Sequence, residues 1–190
     1  MAVNFTSDLA RFPANTDDAN WSQFPDKQQL VFHGLPTVGA QTDGGLGFQI
    51  RITNSHLVRR TQDGGPSWVG SFTPGEPLLF TDSSPGPLHF LFDDPVRGAG
   101  TQMNIKDPVA HVAFGISAFD ENDDPIPLLH GGTAPGGFSS AADGTATFVG
   151  VADNLRARPR IKRIALFLSV LDSGYRGDGS FAINRLRLVP

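Results

Sequence analysis

In several stretches of this 190-residue chain apolar residues recur at every second position, and that period decides most of what it can fold into. Leu46, Phe48, Ile50 and Ile52 share one phase while Gln49, Arg51 and Thr53 take the other, the pattern of a strand with one wet face. The same alternation runs through Leu88, Phe90 and Phe92, through Ala110, Val112, Phe114, Ile116 and Ala118, and through Ile164, Leu166, Leu168 and Val170. Turn clusters separate the runs: "TDGGLG", "DGGP", "SSPGP", "HGGTAPGG" and "RGDGS" hold many of the 22 glycines and 15 prolines. Fainter strand signals lie at 67–72, 77–81, 101–105, 125–129, 145–151 and 180–189. Such a series predicts one all-β domain over residues 1–190, an antiparallel β-sandwich of jelly-roll type with about ten strands and little or no helix. Residues 1–40 read as an irregular or edge segment packed on it.

Only "TDDANWSQF" reads as helical, a short turn with Thr16 as its cap. No βαβ rhythm is present, which sets aside a nucleotide-binding parallel sheet. The last strand signal contains a conflict of phase, because Phe181 and Ile183 are odd-numbered whereas Leu186 and Leu188 are even-numbered. A bulge at Asn184-Arg185 reconciles the two pairs. Without it Asn184 faces the core and needs hydrogen-bond partners there.

Fifteen basic and 19 acidic residues give a formal net charge of -4, and the basic ones concentrate only in "NLRARPRIKR". That leaves no broad cationic face for nucleic acid or anionic lipid. The absence of cysteine removes disulfides, thiolate metal sites and a cysteine nucleophile, without fixing the compartment. The opening "MAVNFTSDLARF" lacks the cationic and apolar segments of a signal peptide, and no apolar run approaches the roughly 18 residues of a membrane span. No membrane insertion is expected. Two sequons, Asn4-Phe5-Thr6 and Asn20-Trp21-Ser22, read as chance matches.

The stretch "AFDENDDPIPLL" places Asp120, Asn122 and Asp124 at positions one, three and five of a D-x-[DN]-x-[DN] calcium loop. Pro125 then stands where the sharp turn requires glycine, and Gly131 where the bidentate glutamate belongs. The stretch reads better as the solvated tip of a hairpin, with Asp120, Asn122 and Asp124 a weak calcium set and no other cofactor expected. "HGGT" at 130–133 and "GFSSA" at 137–141 imitate the oxyanion loop and nucleophile elbow of esterases, but Ala141 replaces the closing glycine and no strand-turn-helix surrounds the serine. His33, His56, His89, His111 and His130 show neither H-x-H nor H-E-x-x-H spacing, so they spell no zinc site. His89 and His111 take the polar phase of their strands and meet only if those strands pair. Trp21, Trp68 and Tyr175 are the large aromatics with a polar handle. Exposed, such residues make platforms for sugar rings, so these three are the candidate ligand-binding residues. Trp68 leads them because it follows the Gly64-Gly65-Pro66 turn, although it would equally serve to cover one end of the core.

The segments "FTPGEPLL", "GPLHFLFDDPVRGAGTQ", "AFDENDDPI", "GTATFVGV" and "FAINRLRL", in that order across roughly residues 40 to 189, resemble a bacterial extracellular β-sandwich family often found on proteins with a PEP-CTERM sorting tail. The resemblance implies a jelly roll related to galactose-binding-like domains, exported or surface-associated, with no established catalytic residues. This sequence ends at Pro190 with no sorting motif or anchor. In calcium-bearing relatives of the wider class an aspartate often occupies the last strand where Asn184 stands here. A neutral amide is a weaker ligand for a hard cation, which lowers the expectation of a structural calcium.

Two functions from different classes follow. The leading one is a non-catalytic surface or extracellular binding module with a glycan as its partner. The alternative is a structural subunit of an assembled particle, fibre or surface layer. An enzyme ranks third, because no catalytic residues can be named.

Overall fold

The computed structural model describes residues 2–31, 37–53, 55–62, 72–105, 112–129, 131–136, 146–153, 159–170 and 179–190. Within them the chain opens with β1 (Val3–Thr6), β2 (Asp17–Ala19), β3 (Gln29–Val31), β4 (Val38–Gln41), β5 (Gly47–Ile52) and β6 (His56–Thr61). It continues through β7 (Pro77–Asp82), β8 (Leu88–Val96), β9 (Gly98–Ile105), β10 (Val112–Phe119), β11 (Pro125–Ile126) and β12 (Leu128–Leu129). The last five strands are β13 (Thr133–Gly136), β14 (Thr147–Ala152), β15 (Ile161–Val170), β16 (Phe181–Ile183) and β17 (Leu186–Val189). Among the described residues the only helical pieces are two single 3-10 turns, Leu9–Arg11 and Trp21–Gln23.

Two sheets face each other, as the alternation requires of strands with one apolar side. The first runs β12-β1-β14-β9-β16-β7-β6-β3, with β17 joined to β9 and β2 beyond it. The second runs β11-β10-β15-β8-β5-β4, with β13 against β10. Phe48, Ile50, Phe90, Phe114, Ile116, Ile164 and Leu166 of the second sheet meet Leu79, Met103, Val149, Phe181, Ile183 and Leu186 of the first in one core cluster. The molecule is therefore an all-β sandwich of the expected class. Among the described residues every strand pairing is antiparallel except that of β1 with β12, which is parallel, with Val3 opposite Leu128.

Two expectations need correction. The run "PIPLL" is not one strand. Its first half, β11, closes a hairpin onto β10, while β12 crosses to the other sheet and pairs with β1. Pro127 sits at the crossing, where its missing N–H costs nothing and its carbonyl accepts from the Val3 amide at 2.9 Å. Thr16 caps no helix. Asn20 does, its side chain accepting from the Ser22 amide at 2.9 Å, because Asp17–Ala19 are extended as a strand beside β17. The N-terminal segment supplies β2, β3 and β4 at sheet ends, and its Val3, Ala19 and Trp21 are fully buried members of the core cluster.

The phase conflict near the C-terminus resolves by an interruption. Phe181 and Ile183 enter the core from β16, Leu186 and Leu188 enter it from β17, and Asn184-Arg185 lie between the strands. Asn184 is nonetheless buried, and its side chain is saturated. Its Oδ1 accepts from the Gln102 amide at 3.2 Å, and its Nδ2 donates to Gln102 Oε1 at 2.7 Å and to Glu76 Oε1 at 3.0 Å.

Candidate functional site

Alternation fixes which side chains the second sheet turns outward. Phe48, Ile50 and Ile52 of β5 are buried, so Gln49 and Arg51 point to solvent; Leu88, Phe90 and Phe92 of β8 are buried, so His89 and Leu91 face the same way. Pairing then sets these residues in rows. Arg51 lies opposite His89, and His89 opposite Ala165; Gln49 lies opposite Leu91, Leu91 opposite Arg163, and Arg163 opposite Phe119. A register shift between Ile161 and Arg163, opposite the Asp93–Pro95 stretch of β8, lets consecutive residues Lys162 and Arg163 both line the outer face. A regular strand forbids that. Lys162 Nζ donates to the Asp93 carbonyl at 2.5 Å.

At the open end of these rows the β10-β11 turn closes over the face. Asp120 Oδ1 accepts from the amides of Asn122 at 2.9 Å and Asp124 at 3.1 Å, and the Asp120 amide donates to the Asp124 carbonyl at 3.0 Å. Asp123 adopts a left-handed conformation, with φ 66°, and its carboxylate reaches back over the sheet. Together Arg51, His89, Leu91, Asp120, Glu121, Asp123, Lys162 and Arg163 line a cleft of about 380 Å³.

Arg163 organises this cleft. Its Nε donates to Asp123 Oδ1 at 2.6 Å, its Nη1 donates to His89 Nδ1 at 2.9 Å, and its guanidinium carbon lies 3.5 Å from the centre of the Phe119 ring. An arginine has no lone pair to offer, so His89 Nδ1 must be the acceptor and the ring proton sits on Nε2. Burial, followed by the positive charges of Arg163 and Arg51, pushes the His89 pKa down to about 4, with Asp123 opposing. At neutral pH the imidazole is an uncharged hydrogen-bond donor.

A second hollow, of about 400 Å³, lies on the other sheet between Ser7, Asp8, Gln102, Thr147 and Phe148. Its one charged side chain, Asp8, is committed to capping the first 3-10 turn by accepting from the Ala10 amide at 2.9 Å.

The residues singled out in the sequence fare differently. Trp68 and Tyr175 lie outside the described residues, as do His111, His130 and the 137–141 stretch. Trp21 is corrected: it is fully buried, stacked on Phe90 with ring centres 6.1 Å apart, and its indole N–H donates to the Asn184 carbonyl. It offers no surface to a ligand. β8, which carries His89, does not pair with β10, because β15 lies between them. Asp120, Asn122 and Asp124 do form the tip of a hairpin. Among the described residues no group of three or more histidine, aspartate or glutamate side chains is placed to hold a metal ion, and no helix is long and apolar enough to cross a membrane. The residues that sequence reasoning left out are Arg51, Lys162 and Arg163. Their signals were the wet phase of β5 and the basic run "RIKR", but only the pairing order brings them together.

No protein-family model matches the chain, and no curated protein sequence does. Among solved structures the chain is similar to the CBM22-1 xylan-binding domain from Paenibacillus barcinonensis Xyn10C, at 10% identity and a TM-score of 0.36, over 87% of this chain and 97% of that one. A likeness of that degree assigns nothing to this chain.

Proposed function

We propose that this protein is a non-catalytic binding module, surface-associated or extracellular, whose cleft on the outer face of the second sheet holds a glycan. One observation carries the reading: donors and acceptors from three adjacent strands and the β10-β11 turn converge on one cleft, with His89 and Arg163 held in place by their neighbours. Sugar recognition needs that kind of convergence, because ring hydroxyls are read by directional hydrogen bonds from rigidly held polar groups, with apolar surface beneath. His89 Nε2, Arg51 and the carboxylates of the turn supply the polar groups, and Leu91 supplies apolar surface.

The same geometry removes His89 as a general base. Asp120 is occupied by two turn amides, Asp123 by Arg163, and the basic nitrogen of His89 by Arg163 as well. A general base needs a free lone pair within reach of the proton it takes. Of these three groups only His89 has none to spare, because each carboxylate is engaged through Oδ1 alone.

A glycan array probed with the wild type and with Arg51→Gln tests the reading. Binding of at least one glycan, weakened about tenfold in the variant, is the expected result, since loss of a hydrogen bond to a charged group costs on that order. Failure of every glycan to bind above background removes carbohydrate. Trp68→Ala on the same array decides whether that aromatic adds a stacking platform.

A second reading, a subunit of a larger assembly, draws on β4. Its outward backbone is covered at Gln41, where the Gln23 side chain both donates to the carbonyl at 3.1 Å and accepts from the amide at 3.2 Å. By alternation the next outward backbone position is Gly39. Such an edge suits pairing with another strand. A strictly monomeric mass by light scattering at high concentration would count against it.

A further inference from the structure

Arg163 already holds a carboxylate, and the two partners are unequally fixed. Nε and Nη2 both stand 2.6 Å from Asp123 Oδ1, while Phe119 backs the guanidinium and His89 takes its remaining nitrogen. The arginine side chain is 14% exposed, whereas that of Asp123 is 70% exposed on a turn held in a left-handed conformation. One side of this ion pair is built into the sheet, and the other can swing into water. Arg51, across β8 in the same cleft, has no ion-pair or hydrogen-bond partner among the described residues. When Asp123 leaves, two guanidinium groups face the cleft, and a planar fork with its own stacking partner is a strong receptor for a carboxylate.

We infer that the ligand of this cleft is an acidic glycan, and that the carboxylate of a uronic acid residue takes the place of Asp123 on Arg163. The inference rests on the glycan-binding reading above and names the class of sugar. Asp123 then acts as a tethered competitor. The ligand must displace it, so the intact turn lowers the apparent affinity for acids and leaves neutral sugars unaffected. An exposed ion pair is weak, which limits this competition to about two- to fivefold. The competition is also sharpest at low ionic strength, because salt screens the incoming carboxylate and the turn alike.

Calorimetric titration with oligomers of galacturonate, mannuronate and glucuronate, each beside its uncharged methyl ester, tests the inference. The wild type should bind at least one acid and bind its ester about tenfold or more weakly, the ordinary discrimination of a charge-assisted fork. Asp123→Asn should tighten the acid about two- to fivefold without changing the ester. Arg163→Lys, which keeps the charge and loses the fork, should weaken the acid, with thermal unfolding showing that the variant is folded. Should esters bind as tightly as acids, or Asp123→Asn leave the acid affinity unchanged, the inference falls while the glycan reading stands. If neither acids, esters nor any sugar on the array binds, both fall.

Discussion

His89 ties the cleft to the stability of the fold. Its folded pKa of about 4 lies below the ordinary histidine value of 6.5, chiefly because burial disfavours the charged ring and because Arg163 and Arg51 repel it. The unfolded chain therefore takes up the proton first as pH falls. The stabilisation from a neutral His89 is complete above pH 6.5, declines between 6.5 and about 4, and is gone below that. Discounted for solvent screening, the loss amounts to about 1–2 kcal/mol. Denaturant unfolding across that range should show this decline, and His89→Gln should flatten it; an unchanged profile in the variant would mean that other groups titrate instead. Asn184 is the second residue on which much depends. Truncation by Asn184→Ala removes an acceptor from the half-buried Gln102 amide and a donor from Gln102 Oε1 and Glu76 Oε1. A loss of about 1–3 kcal/mol is expected, the cost of removing hydrogen bonds from a part-buried network. Asn184→Asp replaces that donor with a third acceptor, so its destabilisation should grow with rising pH as the new carboxyl ionises. A variant as stable as the wild type by urea titration would show that the network is dispensable.

At the scale of elements, the β10-β11 hairpin stands on its own chemistry. Asp120 satisfies two turn amides directly, and Pro125, opposite Phe119, starts the return strand with no amide proton to place. Such a turn has no need of an ion. Thermal unfolding of the wild type in calcium and in excess chelator should therefore give midpoints that coincide, and Asp120→Ala/Asp124→Ala should lower the midpoint equally in both. A large calcium-dependent rise that vanishes in the double variant would overturn this, because a ligand that binds only the native state stabilises it by mass action. The hairpin was legible in the sequence because its signals are local: an apolar phase that ends at Ala118, a polar turn and a proline. β5, β8, β10 and β15 were legible for the same reason. β6 was not, because Arg59 occupies the inward phase that Leu57 sets, paired there with Asp26. An ion pair at an inward position breaks the apolar alternation on which strand recognition depends. The cleft was illegible for a different reason, since Arg51, His89 and Arg163 become neighbours only through the order β5-β8-β15, and strand order is set by contacts distant in sequence.

For the molecule as a whole, the least legible feature is the hold of the N-terminal segment on the core. Nothing in "DDANWSQF" alternates, so Trp21 looked like a free aromatic, yet it is fully buried between the sheets beside Phe48 and Phe90. The segment is also stitched into the first sheet at two separate places. β1 pairs with β14 and β12, and β2 pairs with β17, where Asp18 meets Arg187 at 3.2 Å and Arg185 at 3.6 Å. Removing residues 1–25 would uncover β14 and β17 along their paired edges and open a space the size of an indole in the main cluster. Trp21→Ala alone should cost about 3–5 kcal/mol, the usual range for deleting a buried tryptophan. That is a large part of the roughly 5–15 kcal/mol by which such a fold is stable. The truncated chain, losing Val3, Ala19 and two strand pairings besides, should not unfold cooperatively at all. Near-ultraviolet circular dichroism during heating measures this: Trp21→Ala should keep a single transition at a lower temperature, and the truncated chain should show none. A cooperative transition in the truncated chain would mean that the remaining strands close a core without their N-terminal partners.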